Sequence, residues 1–204
     1  MGGNTNVVKY LLEKDPALID MISETGGTCV YLAAFMGRLE TVRHICSVKP
    51  SLLATALATH KVSSLYVAAL QGHVHTARFL GFTYPELLDM YNAGSRTSAH
   101  AAASKGHTDV LRMLAVLKPD ILGIPTRLGA SCFLLAATEG HVRTVTYQAE
   151  ARPELLDMRD RQCQSCLHAA ALTGKLEVVR YLVGVRPAHV AIGNPAVGVF
   201  FSTL

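Results

Sequence analysis

Tryptophan is absent from the 204-residue sequence, and aromatic residues make up only 6% of it. So few rings leave little on which bases could stack, which weighs against nucleic acid as a partner. The five cysteines (Cys29, Cys46, Cys132, Cys163, Cys166) are odd in number, which argues against a disulfide framework and for a reducing compartment. The amino terminus, Met1-Gly2-Gly3-Asn4-Thr5-Asn6, lacks the basic and apolar regions of a signal peptide, and Asn6 stands where a myristoylation site needs Ser or Thr. Residues 188–204 carry no charge but contain His189, Asn194 and Pro195, and fall short of the roughly 20 apolar residues that a spanning helix needs. Catalytic signatures are missing as well. There is no Gly-x-Ser-x-Gly, Gly174-Lys175 has neither the upstream glycine nor the following hydroxyl of a phosphate loop, and no carboxylate pair breaks the pattern described below. The expectation is a non-enzyme without cofactor, metal or small-molecule substrate, placed in the cytoplasm with the nucleus also compatible.

What the chain does have is apolar content and a period. It is 50% hydrophobic with mean hydropathy +0.28 and net charge +4, enough to bury a core. Glycines recur at Gly3, Gly37, Gly72, Gly106, Gly140 and Gly174, every 34 residues with one step of 35. Prolines recur at Pro16, Pro50, Pro85, Pro119, Pro153 and Pro187, each 13 residues after its glycine. Two marker sets sharing one period establish an internal repeat.

Each unit reads alike. A hydroxyl residue nine positions before the glycine (Thr28, Ser63, Thr97, Ser131, Ser165) is a good N-cap, since its oxygen can accept from the unpaired N–H groups of a first turn. A short helix with paired alanines follows, as at Ala102-Ala103, and lack of bulk there lets neighbouring helices approach closely. Glycine then ends that helix in a left-handed turn. A second helix with apolar residues at helical spacing, as over residues 176–183, stops before a Lys/Arg-Pro pair, because proline disfavours helix in the residue before it. An apolar pair and a polar loop lead to the next cap.

The run Ser165-Cys166-Leu167-His168-Ala169-Ala170-Ala171, then Gly174-Lys175-Leu176-Glu177-Val178-Val179-Arg180, resembles an ankyrin repeat, and Gly72-His73, Gly106-His107 and Gly140-His141 match that family's Gly-His dipeptide. The resemblance spans nearly the whole chain. It departs in two respects, the first being that the family's proline after the cap is replaced by Cys29, Ser64, Ser98, Cys132 and Cys166. The Pro-x-Leu-Leu linkers at Pro85 and Pro153 resemble a 34-residue variant common in plant ankyrin proteins. The resemblance implies an all-α solenoid of stacked helix-turn-helix units with projecting loops or β-hairpin fingers, acting as a protein-interaction scaffold. One domain, 1–204, divides into a partial repeat at 1–24, full repeats at 25–59, 60–93, 94–127, 128–161 and 162–195, and a partial repeat at 196–204. The non-polar end around residues 197–201 suggests a longer array or a covering surface. An alternative function is accordingly that of a regulatory or targeting segment of a larger membrane-associated or enzyme-linked protein.

Positions that obey the repeat are explained by folding, so binding residues are sought where repeats differ. Cys163-x-x-Cys166 has redox or zinc spacing, but Cys166 shares the repeat position of Cys29 and Cys132, and a small buried residue is expected there. The histidines on repeat positions are expected to bond backbone groups of neighbouring units. Lys9, Arg43, Arg78, Arg112 and Arg180 share one second-helix position, and cations before the prolines complement helix dipoles, so this basic excess reads as solvated helix ends rather than a nucleic-acid site. The pair closing each first helix varies and lines the concave face: Phe35-Met36, then Gln71, Lys105 and Glu139 at the second position of later repeats. The loops add Tyr91, Arg96, Arg127, Arg159 and Arg161. A protein partner is expected to use an apolar anchor at Phe35 and Met36 and arginine contacts at the rim. Gln148 stands where Ile45, Leu80, Leu114 and Leu182 sit, and marks repeat four as a weak point unless it is paired.

Overall fold

A computed structural model describes residues 3–24, 26–53 and 62–187. In chain order the helices are α1 (Gly3–Lys14), α2 (Cys29–Phe35), α3 (Leu39–Val48), α4 (Ser64–Leu70), α5 (Val74–Thr83), α6 (Ser98–Ser104), α7 (Thr108–Leu117), α8 (Cys132–Glu139), α9 (Val142–Ala151), α10 (Cys166–Leu172) and α11 (Leu176–Val185). The even-numbered helices are the Ala-rich first helices and stack in series, α2 on α4, α4 on α6, α6 on α8, α8 on α10. The odd-numbered helices form the second layer, from α1 against α3 through α9 against α11. The fold is therefore an all-α solenoid.

All five caps form as the hydroxyl pattern requires. Thr28, Ser63, Thr97, Ser131 and Ser165 each accept from the backbone N–H three residues on, at 3.1–3.4 Å. Caps of this kind contribute about 1 kcal/mol each. The alanine pairs of the first four units and Ala170 of the fifth are buried, and one apolar cluster runs through the described stack from Ile19 to Leu182. Because each unit buries its faces only against its neighbours, stability accumulates along the stack rather than around one centre.

Two features go beyond the sequence pattern. The Pro-x-Leu-Leu segments are not plain loop but short 3-10 turns, as in Pro85–Asp89 and Pro153–Asp157, which bury both leucines. Proline's fixed φ suits the first position of such a turn. The cations before the prolines also do more than face a helix end. Lys49 reaches Asp20 at 2.6 Å, Lys118 reaches Asp89, Arg152 reaches Asp120 at 3.7 Å and Arg186 reaches Asp157 at 3.4 Å, each tying one unit to the unit before it. Exposed pairs of this kind are each worth less than about 1 kcal/mol.

The loops between units are tight hairpin turns without regular strands among the described residues. One antiparallel bridge, Ile22 with Thr28, is present. The loop holding the extra residue includes 54–61, and that segment, with His60, His189 and the apolar run 197–201, lies outside the described residues.

Candidate functional site

The concave face is set by a ladder of bonds between units. The Nε2–H of His73 donates to the Phe35 carbonyl at 2.9 Å, that of His107 to Leu70 at 3.1 Å, and that of His141 to Ser104 at 3.2 Å. Those carbonyls belong to the residues that close each first helix, so the ladder fixes the side chains expected to meet a partner. The approach is close enough to exclude a side chain at the turn. At Gly106, with φ +72°, an added Cβ would lie 2.6 Å from Nδ1 of His141. At the last step Lys175 replaces histidine, and the Thr173 hydroxyl, 2.9 Å from the Thr138 carbonyl, provides the tie instead.

On this frame Phe35 is 41% exposed and Met36 57%. Leu32, one turn earlier on α2, is exposed beside them, and the three form an i, i+3, i+4 apolar stripe. Its counterparts in the next two units, Val67 and Ala101, are buried. The physical difference is that α2 has a first-helix neighbour, α4, on one side only among the described residues. Along the face Gln71, Lys105 and Glu139 are exposed. Apolar character returns in repeat five, where Leu172 is 65% exposed.

The finger loops are shaped by short polar side chains. Asn92 Oδ1 accepts from the N–H groups of Gly94 and Arg96, both at 2.9 Å, and Asp160 Oδ1 from those of Gln162 and Gln164 at 2.9 and 2.8 Å. Neighbouring fingers join through the backbone, Arg127 N–H to the Gly94 carbonyl at 3.2 Å and Arg161 N–H to Leu128 at 3.1 Å. This leaves the side chains of Arg127, Arg161 and Tyr91 exposed along one edge. Arg159 and Arg96 have internal duties as well: Arg159 Nη1 donates to the Cys163 carbonyl at 3.0 Å, and Arg96 lies beside the Tyr66 hydroxyl. Phe35 and Met36 belong to repeat one and the finger arginines to repeats three and four, so the two sets mark different parts of one long surface.

The remaining titratable groups serve packing. The thiols of Cys29, Cys132 and Cys166 point at linker carbonyls of Ile19, Ile121 and Leu156, at 3.3, 3.9 and 3.9 Å. Burial pushes Cys166 up to about 12 and Cys132 further, so both stay protonated and unreactive. Cys163 is exposed. No group of three or more His, Cys, Asp or Glu that could hold a metal occurs among the described residues. His100 is fully buried, its Nδ1 accepting from Thr97 N–H at 3.1 Å and its Nε2–H donating to Ala130 at 3.3 Å. Burial lowers its pKa to about 4, a neutral structural histidine rather than a proton carrier at pH 7.

Among the described residues no helix is long and apolar enough to cross a membrane. A family model described as ankyrin repeats, in three copies, matches residues 100–193. A search of curated proteins finds no match to the chain.

Proposed function

Since this chain is an ankyrin-repeat protein, we propose that it works as a non-catalytic scaffold that holds a partner protein on its concave face and finger edge. Ankyrin repeats are generally protein-interaction modules and typically non-catalytic. The observation that carries the reading further is the exposed stripe of Leu32, Phe35 and Met36 on a helix whose Phe35 carbonyl is locked by His73. A rigid apolar stripe loses little entropy on binding and makes a natural anchor. The polar middle of the face and the edge of Tyr91, Arg127 and Arg161 then set the register of the partner. The five free cysteines fit the reducing cytoplasm.

The test is affinity capture from the native cell with the wild-type chain, Phe35→Ser/Met36→Ser, and a Tyr91→Ala/Arg127→Ala variant. A partner retained by the wild type should be lost with the first variant and weakened with the second, while thermal midpoints stay unchanged. Equal capture by all three would count against this face.

A further inference from the structure

The second helices carry an unexplained surface on the opposite side of the molecule. In α5 and α7 an arginine is followed four residues later by an apolar side chain, Arg78 by Phe82 and Arg112 by Val116. Phe82 is 75% exposed and Val116 78%, although the same position holds Ser47 and Glu150 in the flanking repeats. Nothing in the repeat requires an apolar residue there. Shallow grooves of about 480 and 540 Å³ run on either side of α5, between α3 and α5 and between α5 and α7, with Arg78 and Phe82 forming the ridge they share.

The charges are ordered too. The Arg43 guanidinium rests 5.0 Å over the Phe79 ring and that of Arg112 5.0 Å over Tyr147. Stacking on a ring fixes the plane of a guanidinium and leaves its N–H edge directed outward, the geometry that receives a carboxylate. Arg43 has Glu40 at 3.8 Å, and Asp109 is held by Arg143 at 3.0 Å. Arg78, at the centre, has no ion pair among the described residues. Thr146 interrupts the arginine row in repeat four, and Arg180, which resumes it, is paired with Glu177 at 3.1 Å.

We propose that this outer face binds an acidic amphipathic helix of a protein partner, with carboxylates on Arg43, Arg78 and Arg112 and apolar side chains beside Phe82 and Val116. The row of cations and the row of apolar groups lie one helical turn apart, about 6 Å, matching neighbouring positions on a partner helix. Discrete grooves and the interspersed anions Glu40, Asp109 and Glu150 favour discrete carboxylates over a uniformly anionic lipid plane. The surface is separate from the concave face and does not depend on it.

The probe is a fluorescein-labelled helical peptide with leucines on one face flanked by glutamates. Its lysine-for-glutamate counterpart and vesicles of phosphatidylserine in phosphatidylcholine serve as comparisons. Fluorescence anisotropy should show saturable binding of the acidic peptide that weakens in high salt. Arg78→Glu and Phe82→Ser should each weaken it about tenfold or more, whereas Phe35→Ser should leave it unchanged. Both substituted side chains are exposed, and unchanged thermal midpoints would show that the fold is intact; if Arg78→Glu lowers the midpoint, Phe82→Ser decides alone. Absence of saturable binding, indifference to Phe82→Ser, equal binding of the lysine peptide, or binding to vesicles alone would each overturn the proposal.

Discussion

Repeats three and four stand side by side with the same helices at the same depth, but they are held together differently. In repeat three the first helix is closed by reciprocal bonds between Thr97 and His100, and His100 extends to the Ala130 carbonyl. In repeat four Leu134 takes that place and only the Ser131 cap remains. In the second helix Leu114 and Gln148 are both fully buried, yet Gln148 donates a long bond of 3.4 Å to the Thr144 carbonyl while its Oε1 has no partner among the described residues. The fold tolerates a costly polar group in one unit because its neighbours carry redundant ties, and the local deficit stays local.

The largest effect should come from copying the defect into the better unit. Leu114→Gln should cost about 3 kcal/mol, since it combines lost apolar burial with an unpaired buried amide. Urea unfolding measures it, and a loss below about 1 kcal/mol would mean that the two sites are not equivalent. A pH titration tests the histidine. Its pKa is depressed from 6.5 to about 4 by burial, so folding favours the neutral ring while the unfolded chain takes up a proton near 6.5. Stability from His100 is complete above pH 6.5 and lost as pH falls toward 4, by about 3 kcal/mol. His100→Leu, which gives repeat three the residue of repeat four, should flatten most of that slope; a slope that persists unchanged would assign the protons elsewhere.

Two glycines isolate the ladder. Gly106 and Gly174 both have positive φ, but a Cβ collides with His141 at the first and meets nothing at the second. Alanine at Gly174 should cost about 1 kcal/mol for the left-handed backbone, and alanine at Gly106 roughly twice that or more. Equal losses would show that the histidine simply moves aside. The smallest change repairs the weak unit: Gln148→Leu should raise stability by about 1 kcal/mol. Lower stability would mean that the amide is better satisfied than the bonds to Thr144 indicate.

Much of this was legible in the residues. Glycine and proline spacing placed the turns within each described unit, the hydroxyl positions placed the caps of the five first helices, and the Gly-His dipeptides foretold the bonds that lock the concave face. Gln148 was visible as a break in an apolar column. Less legible were features that depend on which unit touches which. The ion pairs of Lys49, Lys118, Arg152 and Arg186 join residues about 30 apart and looked like helix-end charges alone. Leu32 gave no signal, because its exposure depends on which helices neighbour α2, which periodicity does not count. The exposed ridge at Phe82 was hidden for the opposite reason, since an apolar residue late in an amphipathic helix looks inward until packing shows its direction.

If the exposed stripe on α2 is where this scaffold takes its partner, removing its apolar side chains must release that partner. The decisive measurement is quantitative capture with the Phe35→Ser/Met36→Ser chain, at matched folding by circular dichroism. A specific protein that the wild-type chain retains should be lost from the variant. Retention of the same proteins in the same amounts would place the binding site elsewhere on the molecule.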